Sequence, residues 1–359
     1  MGAIMMNNIY PKITETVGLN EPLSLDHARA VLDVDQLDTC ELLGIAYQFR
    51  RQHFGKTVTV HILNNVQNGL CPEDCRYCAQ SASSSAPIEE YPMKSDEEIL
   101  AEAAAAQAQG AGRYCMVFSG TGPSDERIEH LTRLIREIKH RHKIEVCVSP
   151  GVINAAQARR LKDVGLDRLN HNLNTSEAYY RYICTSHTYA DRLRTLEAAH
   201  SVGLAVCSGV IIGMGEKPAD VYGMAKSLRD LGAESIPVNF LIPIPGIALK
   251  EAKGLTPEYC LRVLCLFRFL NPKAEIRMAA GREIHLRSLE PLGLFAANSL
   301  FLQGYLNAQG SSNAKTLQMI RDMGFSIKSD VPLEKLLEQA DDKCSGDGLK
   351  GVKELRPFK

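Results

Sequence analysis

Short apolar runs rich in β-branched residues alternate along the chain with longer stretches whose apolar positions recur every three to four residues. The short runs are TVTVHILNN (57–65), GRYCMVFS (112–119), IEVCVS (144–149), RLNHNL (168–173), AVCSGVII (205–212), IPVNFL (236–241), EIRMA (275–279) and ANSLFLQ (297–303). Each reads as a strand. Between them lie amphipathic helical patterns such as SDEEILAEAAAAQAQG (95–110), where Ser95 is placed to cap and Glu98 follows three residues on. SDERIEHLTRLIREIKHRH, NAAQARRLKDVG, YADRLRTLEAAHSVG, PADVYGMAKSLRDLG, TPEYCLRVLCLFRFLN and the segment around 313–324 behave alike, and several end in Gly. About eight strand–helix units predict an α/β protein with a parallel sheet, first of all a (β/α)8 TIM-type barrel. A doubly wound open sheet is the alternative, because counting units does not establish closure. Residues 1–55 read as an N-terminal helical extension, 56–327 as the barrel, and the charged, Gly-containing 328–359 as a short helix and a mobile tail.

Composition changes this picture at one point. The hydrophobic content of 45% and charged content of 23% are ordinary for a soluble globular protein. A net charge of −1 gives no reason to expect nucleic acid or an anionic membrane as partner. No run of about 18 apolar residues offers a membrane span. The start, MGAIMMNNIYPK, lacks the pattern of a secretory signal, and Met6 argues against myristoylation. A cytoplasmic location is therefore expected. Eleven cysteines, an odd number, then point to metal or redox chemistry rather than disulfides. Cys40, Cys184, Cys260, Cys265 and Cys344 belong to no motif and read as ordinary buried or incidental thiols.

NGLCPEDCRYCAQ (68–80) places Cys71, Cys75 and Cys78 in the loop after the first predicted strand, on the barrel face where active sites are built. Cys-x3-Cys-x2-Cys can wrap thiolates around one soft metal centre. A structural zinc site wants a fourth ligand close by. No fourth Cys is near in sequence, and the nearest His, His61, precedes the loop. Three ligands leave one coordination position free, which suits a reactive centre. A zinc site and coincidental clustering are the alternatives. The spacing, with Tyr77 before the last Cys, resembles the radical S-adenosylmethionine superfamily. That resemblance implies a 4Fe–4S cluster on the three thiolates. It also implies one-electron cleavage of S-adenosylmethionine to a 5′-deoxyadenosyl radical that abstracts a hydrogen atom.

Cys115, Cys147 and Cys207 lie mid-strand in the second, third and fifth predicted strands, and Arg277 lies mid-strand in the seventh. Barrel interiors are normally apolar layers, and a buried Arg needs a partner. If all four point inward they converge, as a second metal site would require. The plainer reading is three core thiols and an Arg paired with a lumen carboxylate. In LNHNLNTS, Asn170, Asn172 and Asn174 alternate, so a strand would put them on one face toward something polar, unless that face meets solvent. VCSGVIIGMGE (206–216) runs a strand into a Gly-rich turn that lets a ligand approach the backbone.

GLCPEDCRYCAQ, RYCMVFSG, LNHNLNTS, HTYADRLRTL, VCSGVIIGMGE, IPVNFL, IRMAAGRE and AANSLF, in this order over about residues 40–325, resemble the biotin synthase family. The resemblance implies an (α/β)8 barrel that works as a homodimer and inserts sulfur into dethiobiotin. It implies an electron-donor protein of flavodoxin or ferredoxin type. By motif it gives Cys71, Cys75 and Cys78 to the 4Fe–4S cluster, and Cys115, Cys147, Cys207 and Arg277 to a sulfur-donating 2Fe–2S cluster. Tyr77, Phe118, Ser119, Asn172, Asn174, Arg192, Ile211 and Glu216 fall to S-adenosylmethionine, with Arg192 meeting its carboxylate. Asn170, Asn172 and Asn239 fall to dethiobiotin. Two departures stand out: Asn174 where some members have Asp, and Asn307–Ala308 where the family often shows two threonines. A related radical enzyme of hydrogenase-maturation or methylornithine-forming type, and a non-catalytic zinc-binding protein, remain as alternatives.

Overall fold

The apolar runs become parallel strands that close on themselves. In chain order they are β1 (Thr57–Asn65), β2 (Arg113–Val117), β3 (Glu145–Ser149), β4 (Arg168–Asn170), β5 (Ala205–Cys207), β6 (Val210–Ile212), β7 (Ser235–Phe240), β8 (Glu275–Met278) and β9 (Ser299–Leu302). The computed structural model describes residues 9–340 and 346–359, so the readings placed on residues 1–8 and on Cys344 lie outside it. The strands follow one another around the sheet, β6 lies beside β7, and β9 pairs back onto β1. That last pairing rules out the open sheet.

Most strands are shorter than their apolar runs, and two of the differences bear on the site. The fourth ends at Asn170, and the run 205–212 breaks at Ser208–Gly209 into β5 and β6, which together form one stave. Gly209 permits the break: a Cβ there would lie 2.4 Å from the Pro237 carbonyl oxygen. Gly209→Ala is expected to cost about 1–3 kcal/mol by overpacking, read as a lower urea midpoint with unchanged m-value.

Outer helices start on side-chain caps. Ser95 and Glu98 form the capping box expected for Asp96–Ala108. Helix Asp125–Arg141 buries Ile128, Leu131, Leu134, Ile135 and Ile138, the period of a one-sided helix. Helix Pro257–Leu270 is buried all along from Cys260 onward, because N-terminal helices Leu25–Leu32 and Thr39–Phe54 cover its outer side. Arg262 ties the two layers, donating to the carbonyls of Val31 at 3.2 Å and Asp33 at 2.9 Å. Cys260 and Cys265 are core thiols of this layer, and Cys40 is exposed.

The segment expected to end as a mobile tail is instead docked. After helix Leu333–Gln339, residues Gly346–Leu349 pair antiparallel with Ala308–Gly310, and a helical turn Val352–Leu355 follows. Gly346 is the register partner of Gly310 in that pairing.

Candidate active site

A cavity of about 280 Å³ occupies the lumen at the C-terminal ends of the strands, and both cysteine sets line it. Cys71, Cys75 and Cys78 come from the loop after β1, which leaves the strand through left-handed Gly69 (φ 75°) and Leu70 (φ 54°). The Cys78 N–H donates to the Cys75 carbonyl at 3.0 Å, so the loop folds back on itself.

A fourth thiol does lie beside this loop. Cys184 Sγ is 3.8 Å from Cys75 Sγ, and His187 Nε2 is 3.5 Å from it. Among the described residues, Cys75, Cys184 and His187 are the one trio of metal-capable donors whose atoms lie within 4.8 Å of one another. Cys184 is buried, as an ordinary core thiol would be, and this contact, made across 109 positions of sequence, adds a neighbour that the sequence did not show. Asp74 anchors the same stretch, accepting from the backbone N–H groups of Thr185 at 2.9 Å and Ser186 at 3.0 Å.

The floor is built on register. Cys115 and Cys147 are partners across β2 and β3, Cys207 ends β5, and all three are buried. Cys147 neighbours both other thiols, which together with burial push its own pKa well up. Cys207 is drawn well down by Cys147, with Arg277 adding to it against burial. Cys115 is drawn down likewise by Cys147 and His61. Thiolate is the form that ligates soft metals. Arg277 reaches from β8 with Nη1 3.8 Å from Cys207 Sγ, donates from Nη2 to Ser235 Oγ at 2.9 Å, and lies over the Phe301 ring at 4.9 Å. It also pairs with Glu275, so the ion pair of the plainer reading exists alongside the thiol contact. Arg277 Nε is buried without a hydrogen-bond partner among the described residues.

Glu275 was missed from sequence. Its carboxylate takes both Arg113 Nη atoms at 3.2 Å and pairs with His61 at 3.1 Å. Burial pushes it up, but Arg113, His61 and Arg277 outweigh that and hold it well below the usual carboxylate range. The signal was available: Glu275 stands two residues before Arg277 in one strand, hence on the same face.

The three asparagines converge on the cavity, but not as an alternating row. Only Asn170 is in the strand, and Asn174 turns away with φ 68°, a conformation Asn tolerates. Asn170 Nδ2 donates to Cys207 Sγ at 3.3 Å and Asn172 Oδ1 at 3.1 Å. Asn174 Nδ2 donates to the Tyr77 hydroxyl at 2.6 Å. Asn239 spans two backbones, donating to Val210 O at 2.9 Å and accepting from Ala280 N–H at 3.1 Å. Arg192 donates to Asn172 O at 2.9 Å and lies 3.2 Å from His187 Nε2.

Phe118, Ser119 and Ile211 complete that wall. Ser119 Oγ and His171 Nε2 are buried in it without partners among the described residues. His171 was not foreseen; burial, then Arg192, lowers its pKa. Glu216 is the exception among the expected residues. It does not line the cavity, and its carboxylate closes its own turn by accepting from Gly213 N–H at 2.7 Å and Met214 N–H at 2.9 Å.

Chemically, the cavity offers soft donors at both ends and unpaired polar atoms on the wall between. Comparison with known proteins gives this arrangement a family. Residues 67–228 match the Radical SAM superfamily, and 237–326 match the Biotin and Thiamin Synthesis associated domain. The chain is 55% identical over 292 residues to a protein called biotin synthase from Magnetococcus marinus, covering 81% of this chain and 91% of that one. The chain belongs to the biotin synthase family. A second member, from Acaryochloris marina, is 52% identical over 306 residues, covering 85% and 88%.

Membership in the biotin synthase family makes the chain an enzyme and sets aside the non-catalytic zinc protein. Solved structures share the barrel. A FeFe-hydrogenase maturase from Carboxydothermus hydrogenoformans superposes with TM-score 0.75 at 18% identity, over 94% of this chain and 84% of that one. Methylornithine synthase superposes with TM-score 0.75 at 17% identity, over 90% and 98%. At such identities the likeness is one of fold. No helix among the described residues is long and apolar enough to cross a membrane.

Proposed function

We propose that this enzyme converts dethiobiotin to biotin by radical sulfur insertion, the last step of biotin biosynthesis. One observation carries the reading beyond family membership: three thiols at the mouth and three thiols with an arginine at the floor share a single lumen. Cys71, Cys75 and Cys78 would hold a 4Fe–4S cluster, and Cys115, Cys147, Cys207 and Arg277 a 2Fe–2S cluster. The donor chemistry fits, since the three floor thiols are buried, Arg277 reaches Cys207 among them, and Arg277 Nε lacks a partner among the described residues. When bound, the mouth cluster supplies the electron that cleaves S-adenosylmethionine and the floor cluster supplies the sulfur.

The chain's own residues bind and orient. Arg192 is held by Asn172 O and would present a fixed cation to the carboxylate of S-adenosylmethionine. Tyr77, fixed by Asn174, and the Phe118–Ser119 backbone would meet its adenosine. Asn170, Asn172 and Asn239 present amides to the ureido ring of dethiobiotin. Burial would lower the Arg277 pKa, but Glu275 and Cys207 outweigh it, so the guanidinium keeps its proton in the chain by itself. A cytoplasmic homodimer reduced by a flavodoxin or ferredoxin type of protein completes the proposal.

The reading is tested anaerobically with dethiobiotin, S-adenosylmethionine and a reductant, read by mass spectrometry. Biotin and 5′-deoxyadenosine are expected; 5′-deoxyadenosine with dethiobiotin untouched would overturn the substrate assignment. Arg192→Lys is expected to weaken S-adenosylmethionine binding roughly tenfold, because Lys cannot reproduce the planar fork. Equilibrium dialysis checks it.

A further inference from the structure

We propose that the C-terminal segment 346–358 is a strap that positions the substrate end of the cavity, with Arg356 as the positioning residue that keeps it fastened. The identity of the substrate rests on the sulfur-insertion reading; the strap itself does not.

The strap grips the loop that closes the lumen. Tyr305, Leu306, Asn307 and Ala308 line the cavity. Directly beyond them, Ala308 pairs with Leu349 and Gly310 with Gly346, and the Lys350 N–H donates to Asn307 O at 2.7 Å. Tyr305 stacks edge-on against Phe301 at 5.3 Å, and Phe301 in turn lies under Arg277. The loop therefore reaches Arg277 at the floor through one ring, that of Phe301.

This loop needs an outside restraint. Gln303 (φ 63°) and Leu306 (φ 47°) are non-glycine residues in left-handed conformations. Such residues persist where neighbouring contacts over-determine them. Barrel contacts reach the loop through Asn68, whose amide exchanges two bonds with that of Asn307 at 2.7 and 3.1 Å. The strap supplies the contacts on the other side.

The strap's far end carries a bidentate ion pair. Arg356 donates from Nε to Glu98 Oε1 at 3.0 Å and from Nη2 to Oε2 at 2.5 Å. Both side chains are largely shielded, at 13% and 9% exposed. The guanidinium also lies over the Tyr91 ring at 5.3 Å. Tyr91 bridges to Asn68, so Arg356, Tyr91, Asn68, Asn307 and Lys350 form a closed circuit around the loop. Between the strap and the barrel wall lies a second cavity of about 540 Å³, lined in part by Gln109, Gln303, Asn313, Lys353 and Phe358. Between its ends the strap is pinned at two further points, where Gln309 Nε2 donates to Glu354 at 3.3 Å and Leu355 is buried, and Arg356 supplies the ion pair that anchors this stretch to the barrel.

Full-length Arg356→Ala and Arg356→Lys test this by hydrogen exchange over 303–312 and by steady-state kinetics. Arg356→Ala is expected to speed exchange in 303–312 and to raise the KM for dethiobiotin about tenfold (1.4 kcal/mol). S-adenosylmethionine affinity is expected to stay within about twofold, with more 5′-deoxyadenosine released per biotin. Arg356→Lys, which keeps the charge but not the fork, is expected to fall between. Unchanged exchange in 303–312, or loss of both affinities together, would overturn the strap. If the parent enzyme leaves dethiobiotin untouched, the exchange data still decide the strap, and the substrate reading alone falls.

Discussion

Cys71→Ala is expected to drop S-adenosylmethionine cleavage to background while leaving the fold intact. Cys71 sits partly exposed on a loop and contributes to no core cluster, so its removal opens no cavity in the packed interior. What it removes is one of the three thiols proposed to hold the mouth cluster, and three is the smallest set that would fix a cubane while leaving one iron free for an amine and a carboxylate. Cys184 does not substitute. It lies against Cys75, with Asp74 Oδ1 3.2 Å from its sulfur. Anaerobic protein assayed for 5′-deoxyadenosine, with iron counted in parallel, checks this. The expected result is no 5′-deoxyadenosine and retention of the floor iron alone. Normal cleavage by Cys71→Ala would remove the mouth assignment.

Cys115→Ala is expected to separate the two halves of the reaction: some cleavage persists and biotin formation stops. Cys115 is 6% exposed on β2, while the mouth thiols sit on the loop after β1. Its loss leaves Arg192, Tyr77 and the loop around Cys75 in place. It takes away the register partner of Cys147 and breaks the chain of thiol contacts that runs on to Cys207. Truncating a small core thiol costs less than a Leu or Ile would, so lost product is not lost fold. Counting 5′-deoxyadenosine against biotin in one reaction mixture reads the effect, and full biotin yield would withdraw the floor from sulfur supply.

The barrel was legible because its signal is local. Each apolar run carries its own period, and Ser95, Glu98 and the terminal glycines punctuate the helices between them. The break at Ser208–Gly209 was legible only in part, since a glycine inside a strand says that something comes close but not that Pro237 does. The floor was readable as cysteines in strands whose side chains alternate. Convergence of the asparagines was foreseen for an incomplete reason: a turn at Asn174, rather than a pleat, brings the last of them in. Cys184 and His187 could not be read beside Cys75, because that contact is made by the way the loop after β1 meets the chain after β4. Glu216 entered the expected site through resemblance, whereas the backbone N–H groups of its own turn claim its carboxylate. The tail's charge and glycine content looked like mobility. A short strand that pairs with Ala308–Gly310 looks the same in sequence.

The central claim is that one lumen holds a cleaving centre at its mouth and a sulfur donor at its floor. The most direct test rebuilds the protein anaerobically with isotopically heavy sulfide, transfers it to light sulfide, and weighs the biotin from a single turnover. Biotin carrying the heavy isotope is the predicted result. Biotin carrying only the light isotope would contradict it.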